Sequence, residues 1–454
     1  MRFRLILAIW ACKLAIFLSR LLGKMGTSMP GHLALLICPD ILSLLSRQIK
    51  NEIIVVCGTN GKTTTNNLLT SFIESSGHRV VSNLRGANMI WGVCCAFAEK
   101  ANLLGVLRAD YACLEIDEAS TVKVLQHVKP TKMIVTNLFR DQLDRYGEVE
   151  LTLGYIQRAL ELSPDTQLLI NADDPVVSKL GIDHKQKCYY VGIDEATTGA
   201  SSGSMEGRFC LLCGNQLDYE YCHYSQLGKF SCSACGNKRH ELDFRVHHVN
   251  LSDGVAFDID TGRETVSFNV QYRGLYNIYN ISLAYCAALL SMQKSFDHQQ
   301  VLDAYRPQIG RMEEFHIGNK SVIVNLAKNP AGFNQAISAV MTDKRPKNIL
   351  IAVNDNPSDG QDISWLWDVE FEQLCVENVK KISVSGIRAD ELLLRLKYAG
   401  FSLTPQDKSA YKEAINSMLS GDGEVSYILA NYTSVFPIQA IVKELAKGEE
   451  EHGA

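Results

Sequence analysis

Residues 53–65 read Ile-Ile-Val-Val-Cys-Gly-Thr-Asn-Gly-Lys-Thr-Thr-Thr, an apolar run that breaks into a glycine loop closed by a lysine and hydroxyls. The run over 53–56 suits a buried strand, and the spacing of Thr64, Leu68, Leu69 and Phe72 is helical, so the loop joins strand to helix. A strand feeding a helix in this way belongs to a parallel sheet wound with helices. At such a junction backbone N–H groups and the helix N-terminus converge on one spot and favour anionic oxygens. Lys62 adds a full charge where β- and γ-phosphates would lie, and the Thr63 hydroxyl is placed to hold Mg²⁺. Gly58, Thr59, Asn60, Gly61 and Thr64 complete a nucleoside triphosphate loop. The usual spacing puts the first glycine five residues before Gly61; Val56 stands there, and the first glycine comes late, at Gly58. A plain glycine turn is the competing reading.

A chain of 454 residues makes two or three domains, and 21% charged with 46% apolar residues is the composition of a soluble globular protein. The net charge of −5 excludes a general attraction to nucleic acid. Among fourteen cysteines, Cys12, Cys38, Cys57, Cys94, Cys95, Cys113, Cys286 and Cys375 stand in apolar segments, where a small buried thiol is the ordinary expectation. With no disulfide framework, the chain is expected in the reducing cytoplasm. Residues 1–22 are apolar behind Arg2 and Arg4, but the run is interrupted by Lys13, falls short of the roughly 20 residues a spanning helix needs, and lacks a clear small-residue cleavage site. An amphipathic helix packed on the first domain is the expectation. Contact with a membrane surface through Arg2, Arg4, Lys13 and Arg20 is the alternative.

Along residues 51–175, β-rich runs at 53–56, 111–116, 132–136 and 167–171 alternate with helical stretches, and each run is followed by polar residues. Ligands of open α/β sheets bind at that edge. Residues 192–207 turn to Gly, Ser, Thr and Ala, marking a loop or domain edge. A cysteine-bearing segment, β-like alternation over 268–272 and a helix over 277–292 follow, and the character changes again near 310–315. Strand candidates at 348–353, 381–384 and 426–429 then form a smaller α/β domain. The expected division is a helical segment at 1–45, a nucleoside-triphosphate-binding α/β domain with a parallel sheet at 46–310 carrying an insertion at about 205–240, and a C-terminal α/β domain at 311–454.

Cys210-x-x-Cys213 and Cys232-x-x-Cys235 supply four thiolates for one tetrahedral Zn²⁺. Gly214 and Gly236 follow the pairs and permit the tight turns that aim two sulfurs at one ion. Four cysteines leave no open position for water, so the zinc is read as structural; Cys222 or His223 as a replacement ligand is the lesser possibility. A nucleic-acid-binding ribbon is the rival, but Lys229, Lys238 and Arg239 make only a thin basic surface. Glu115, Asp117 and Glu118 close a strand candidate on the same edge as the phosphate loop. Glu115 is the better Mg²⁺ ligand and the other two are its outer partners, with plain solvated charge as the competing reading. Thr136-Asn137, followed by polar residues to Gly147, again puts polar groups after a strand.

These pieces resemble the Mur ligase family, the ATP-dependent amide ligases of cell-wall synthesis. The resemblance covers roughly residues 50–330 and rests on Gly58 to Thr64, Glu115, Thr136-Asn137 with Asp141 to Asp144 and Gly147, Asn277 and Asn280, and Arg311 at the start of the last domain. It implies ATP with Mg²⁺, an acyl-phosphate intermediate and a nitrogen nucleophile, with Asn277 and Asn280 facing the adenine and Lys328 near the phosphates. The chain departs from the family where Gln142 replaces a histidine and where Asn325-Leu326-Ala327-Lys328-Asn329-Pro330 replaces an Asp-Tyr-Ala-His-Asn-Pro segment. The four-cysteine ribbon and residues 353–369 depart too, and together they resemble an amidating branch of the family. That likeness implies amidation of the D-glutamate α-carboxyl of the lipid II stem peptide with ammonia from a GatD-like glutamine amidotransferase subunit. The chain carries no glycine-flanked cysteine elbow of its own. It also implies that Asp355, in a turn-prone setting after a strand, orients the histidine of the partner's cysteine–histidine pair. Trp365 and Trp367 face either that partner or the core of the small domain, and core is expected for at least one. A conventional amino-acid-adding Mur or folylpolyglutamate ligase, and a non-catalytic nucleotide-regulated zinc-ribbon binding protein, are the alternatives.

Overall fold

A computed structural model of the chain describes residues 2–23, 26–83, 87–140, 149–184, 187–197, 207–252, 254–271, 273–292, 296–306, 310–403 and 408–452. Asp141 to Asp144 and Gly147, including Gln142, lie outside the described residues.

The first sheet is built from β1 (Glu52–Cys57), β2 (Val80–Ser82), β3 (Tyr111–Glu115), β4 (Lys132–Val135), β5 (Gln167–Asn171) and β6 (Cys188–Ile193), joined by β9 (Phe244–Asn250), β10 (Val255–Asp260) and β11 (Thr265–Val270). The order is β11-β10-β9-β6-β5-β4-β1-β3-β2. Pairing from β2 to β9 is parallel, while β9, β10 and β11 form an antiparallel extension. The chain leaves β1 toward β3 on one side and later returns to β4 on the other, so the loop after β1 sits at the switch point of the sheet, where open α/β sheets bind ligands.

β1 is apolar throughout because both of its faces are covered. Ile53, Val55 and Cys57 join one core with the N-terminal helices α1 (Arg2–Leu21), α2 (Met29–Ile37) and α3 (Ile41–Ser46). Ile54 and Val56 join the opposite core with α4 (Lys62–Ser75) and the helix Tyr276–Ser291. Helix α1 buries Leu5, Ala8, Ile9, Cys12 and Ile16, the i, i+3, i+4, i+7 set of one helix face, against the first core.

The second sheet runs β12-β13-β16-β14-β15, from β12 (Glu313–Ile317), β13 (Lys320–Leu326), β14 (Lys347–Ala352), β15 (Val379–Ser385) and β16 (Val425–Ala430). All neighbours are parallel except the β12–β13 hairpin. Cores of its own lie on both faces. The ribbon is the separate hairpin β7 (Asp218–Tyr224) and β8 (Leu227–Ser231), inserted between β6 and β9. Of the singly placed cysteines, seven are buried and Cys375 is exposed; it follows a short 3-10 turn at the edge of the small domain and donates to the Ala399 carbonyl at 3.3 Å.

Candidate functional site

The loop after β1 is shaped by two glycines at positive φ, Gly58 at 120° and Gly61 at 84°. A Cβ on Gly58 would come within 2.3 Å of Thr136 Oγ1, and one on Gly61 within 2.1 Å of Asn280 Oδ1, so the loop is pressed between the Thr136–Asn137 corner and the helix Tyr276–Ser291. Hydrogen bonds fix it there. Asn60 N donates to Asn137 Oδ1 at 2.9 Å, Asn137 Nδ2 and Thr136 Oγ1 donate back to the Asn60 carbonyl at 3.1 and 2.7 Å, and Thr59 N donates to the Asn137 carbonyl at 2.7 Å. Thr136-Asn137 thus acts as a brace under the loop. Asn277 stands one turn before Asn280 and donates to the Arg273 carbonyl at 2.8 Å.

Lys62 opens α4 and is buried, its ammonium donating to the carbonyls of Gly58 at 2.5 Å and Thr59 at 3.3 Å and to Glu118 Oε1 at 2.9 Å. Burial pulls the Lys62 pKa down, but Glu118, Asp117 and Glu115 outweigh it and hold the group above its ordinary value, hence charged. Burial pushes Glu118 up, opposed by the charges of Lys62 and Lys328. Lys328 therefore brings its charge to the loop from the far side, following β13 of the second sheet. Glu118 was expected only as an outer partner, and no spacing in the sequence marks it as the ion-pair mate of Lys62.

Glu115 ends β3 directly beside β1, paired with Val56. It is buried; Oε1 accepts from Asn88 Nδ2 at 3.1 Å, and Oε2 has no hydrogen-bond partner among the described residues. An orphaned buried carboxylate oxygen fits a cation, because an unmet acceptor away from water is costly. Glu115 and the Thr63 hydroxyl on the first turn of α4 are the groups that could hold Mg²⁺ here.

The second sheet reaches the loop through Asn329. Its amide exchanges two hydrogen bonds with that of Asn60, each at 3.3 Å, while its Oδ1 caps the helix Pro330–Thr342 by accepting from Gly332 N at 2.8 Å. An Asn-Pro pair opening a helix is a sequence signature of such a cap. Arg311 lies close enough to Tyr276 and Tyr305 for its charge to lower both phenol pKa values against the larger effect of burial.

Asp355 follows β14 at the same carboxyl edge as Lys328, with β16 between β14 and β13. Two strand spacings separate the two strands, on the order of 10 Å. Its turn is held by Asn354, whose N donates to Asn431 Oδ1 at 3.0 Å and whose carbonyl accepts from Asn431 Nδ2 at 2.6 Å. The half-buried carboxylate accepts from Arg388 at 2.5 Å, and Arg388 also pairs with Glu391 at 2.7 Å. Trp365 is buried against Phe333, as expected for a core residue, whereas Trp367 is 52% exposed beside Tyr398.

The four ribbon cysteines converge. Their Sγ atoms lie within 4.8 Å of one another, with Cys210 to Cys235 at 3.6 Å and Cys213 to Cys232 at 3.5 Å. Four Zn–S bonds of about 2.3 Å in a tetrahedron put sulfurs roughly 3.8 Å apart, so the set fits zinc. Gly214 and Gly236 both take positive φ with open space around them, and Asn215 and Asn237 donate to Cys213 and Cys210 sulfurs at 3.4 and 3.5 Å. Cys222 and His223 do not join. The Cys222 thiol donates to backbone carbonyls, and His223, held neutral by burial, faces Asp173.

Below the ribbon a buried polar chain that no motif announced ties it to the sheet. Arg239 pairs with Asp173 at 3.1 Å and Asp194 at 2.5 Å, and Tyr279, beside Asn280, donates to Asp173 at 2.7 Å. Gln226 donates to the carbonyl of Leu138, next to Asn137, at 2.7 Å.

A phosphate-type loop at the switch point of a parallel sheet, a carboxylate on the neighbouring strand and a second α/β unit closing from above define a Mur ligase, and residues 56–233 match the Mur ligase middle domain. The pseudomurein peptide ligase type C from Methanothermus fervidus shares the fold, with a TM-score of 0.66 over 87% of this chain and 79% of that one at 21% identity. Residues 326–435 match the MurT ligase C-terminal family. The chain is 35% identical over 435 residues to the lipid II isoglutaminyl synthase (glutamine-hydrolyzing) subunit MurT of Staphylococcus aureus (strain COL), covering 95% of this chain and 96% of that protein. The corresponding subunit of Streptococcus pneumoniae (strain ATCC BAA-255 / R6) is 34% identical over 431 residues, 94% of each. The chain belongs to the MurT family.

Proposed function

We propose that this chain is the synthetase subunit of a glutamine-hydrolysing lipid II isoglutaminyl synthase, converting the α-carboxyl of D-glutamate in the stem peptide to the amide with ATP and ammonia. The relationship to MurT subunits over nearly the whole chain carries this reading. The chemistry follows from the loop. Backbone N–H groups from Gly58 to Thr64 and the Lys62 ammonium would cradle the β- and γ-phosphates, with Lys62 exchanging Glu118 for phosphate oxygens. Thr63 and Glu115 would hold Mg²⁺, which supplies charge neutralisation during phosphoryl transfer. Asn277, and Asn280 behind the loop, would face the nucleotide base side, and Arg311 the nucleotide from the domain junction. Lys328, held over the loop from the second sheet, would stabilise the substrate carboxylate as it becomes an acyl-phosphate, which ammonia then attacks.

Ammonia comes in this reading from a GatD-like glutamine amidotransferase bound at the carboxyl edge of the second sheet, where Asp355 would orient the partner's catalytic histidine. Zn²⁺ held by Cys210, Cys213, Cys232 and Cys235 would be structural. The complex would work in the cytoplasm at the inner face of the membrane that carries lipid II.

The test combines this chain with its glutaminase, lipid II, ATP-Mg²⁺ and glutamine and weighs the product. A loss of about 1 Da per stem peptide, the exchange of OH for NH₂, is expected together with ADP and phosphate. ATP hydrolysis without that mass change, or addition of an amino acid, refutes it.

A further inference from the structure

Helix α1 has two apolar faces, and only one is used by the fold. Opposite the buried row, Phe3, Leu7, Trp10, Leu14, Phe17 and Leu21 recur at alternating spacings of four and three and are all exposed, from 41% at Leu7 to 72% at Phe3. Projected at about 100° per residue, this row centres diametrically opposite the buried one. The surface continues beyond the helix. Trp10 Nε1 donates to the Leu103 carbonyl at 2.8 Å, placing the exposed Leu103 and Leu104 beside it. A helix apolar all round is normally buried all round, and an exposed row of six large side chains from Phe3 to Leu21 marks an interaction surface.

Charge selects the occupant. The helix contains Arg2, Arg4, Lys13 and Arg20 and no acidic residue, in a chain whose net charge is −5. On the same projection Arg2, Lys13 and Arg20 border the exposed row on one side and Arg4 on the other. Arg20 pairs with Glu99 at 2.6 Å and Lys13 donates to the Glu99 carbonyl at 2.6 Å. Arg2 and Arg4 are exposed at the start of the helix, where long basic side chains reach anionic headgroups as apolar neighbours enter the acyl boundary. A second copy of α1 would bring one basic border against another, with no acidic residue on either α1 and the neighbouring Glu99 already paired with Arg20. Spanning is excluded on length and hydropathy, since no helix among the described residues is long and apolar enough to cross a membrane.

We infer that α1 is a built-in membrane-surface helix, packing the sheet with one face and lying on an anionic bilayer with the other. The inference rests on the proposed function only for its purpose: a lipid-linked substrate is then met where it resides.

The test is co-sedimentation of the full chain with vesicles of phosphatidylcholine containing 30% phosphatidylglycerol, against vesicles of phosphatidylcholine alone. The expected results are binding to the anionic vesicles, at least tenfold weaker binding to the neutral ones, and weakening with added salt. Leu14→Glu with Phe17→Glu, both exposed, should cut vesicle binding at least tenfold while melting temperature and activity on a water-soluble stem-peptide substrate stay unchanged. Failure of the wild-type chain to bind either vesicle overturns the inference. So does a lipid-free dimer dissolved by the double variant, or loss of the glutaminase subunit from the double variant, because either names a protein as the occupant. Absence of amidation on any substrate with vesicle binding intact would refute the proposed function and leave the surface standing.

Discussion

Lys62 and Glu118 form a buried ion pair at 2.9 Å, with both side chains less than a tenth exposed, so replacing Lys62 by methionine tests the loop on two counts. Methionine fills similar volume but removes the charge. It leaves the Glu118 carboxylate in a dry site where, of the two cations that oppose its burial, only the weaker influence of Lys328 remains. Breaking one partner of a buried pair costs about 3–5 kcal/mol. For a domain of this size each kcal/mol lowers the melting temperature by roughly 2–4 °C, so a drop of about 10 °C is expected for Lys62→Met in the nucleotide-free protein. Adding Glu118→Gln to that variant removes the stranded charge and should recover most of the loss. Catalysis should behave differently: ATP turnover should be lost in both, because the ammonium needed by the phosphates is gone in each. Differential scanning fluorimetry and an ADP-release assay read the two effects separately. A melting temperature unchanged in Lys62→Met, or no recovery in the double variant, would refute the claim that Lys62 neutralises Glu118 before nucleotide arrives.

Asp355→Asn should abolish glutamine-driven amidation and leave amidation with free ammonium salts nearly intact; loss of both would sink the assignment of Asp355 to the partner's histidine. Metal analysis should find one zinc per chain, and Cys210→Ser should lose it and, through Gln226 and Leu138, weaken ATP binding severalfold by titration calorimetry; zinc retained in that variant would refute the four-cysteine site. At Asp343, burial raises the carboxyl pKa but hydrogen bonds from Arg345 and Tyr427 outweigh it, leaving it well below the usual range, and Arg273 of the first domain reaches it at 3.3 Å. A depressed pKa contributes stability that is present above the unfolded value near 4 and lost as pH falls through the folded one. The urea midpoint should therefore drop below about pH 4, and Asp343→Asn should lower it at pH 7 while flattening that acid drop; an unflattened profile would refute the assignment.

The loop, the four cysteines and the parallel strands β1, β3, β4, β5, β14, β15 and β16 were legible in the sequence because each obeys a local rule of spacing or periodicity, while β2 and β6 were not marked. β1 reads as a strand from its composition alone, and Cys210, Cys213, Cys232 and Cys235 announce their convergence by two short intervals. The partners of these residues were not legible. Glu118 meets Lys62 across two strands, Asn329 meets Asn60 across 269 residues, and Arg388 meets Asp355 from the helix after β15. Such pairs depend on where the topology folds distant segments together, and no local pattern encodes that. The antiparallel strands β9 and β10 and the β12–β13 hairpin were passed over as well. β9, β10 and β12 alternate more and less buried positions and so carry a weaker apolar signal than strands buried on both faces, whereas β13 is buried along its length and has no such explanation.

The paired amides of Asn60 and Asn329 carry a consequence for how the two halves of the molecule communicate. Both groups are neutral, so neither ionic strength nor pH in the physiological range alters their attraction. ATP binding in the proposed mode, with the phosphates on Lys62, would respond to salt. The charged contacts between the two units, Arg273 with Asp343 and Arg140 with Asp368, weaken with salt as well, so the amide pair is the part of the junction that salt leaves in place. At high ionic strength the second sheet is therefore held over the loop chiefly by its neutral contacts.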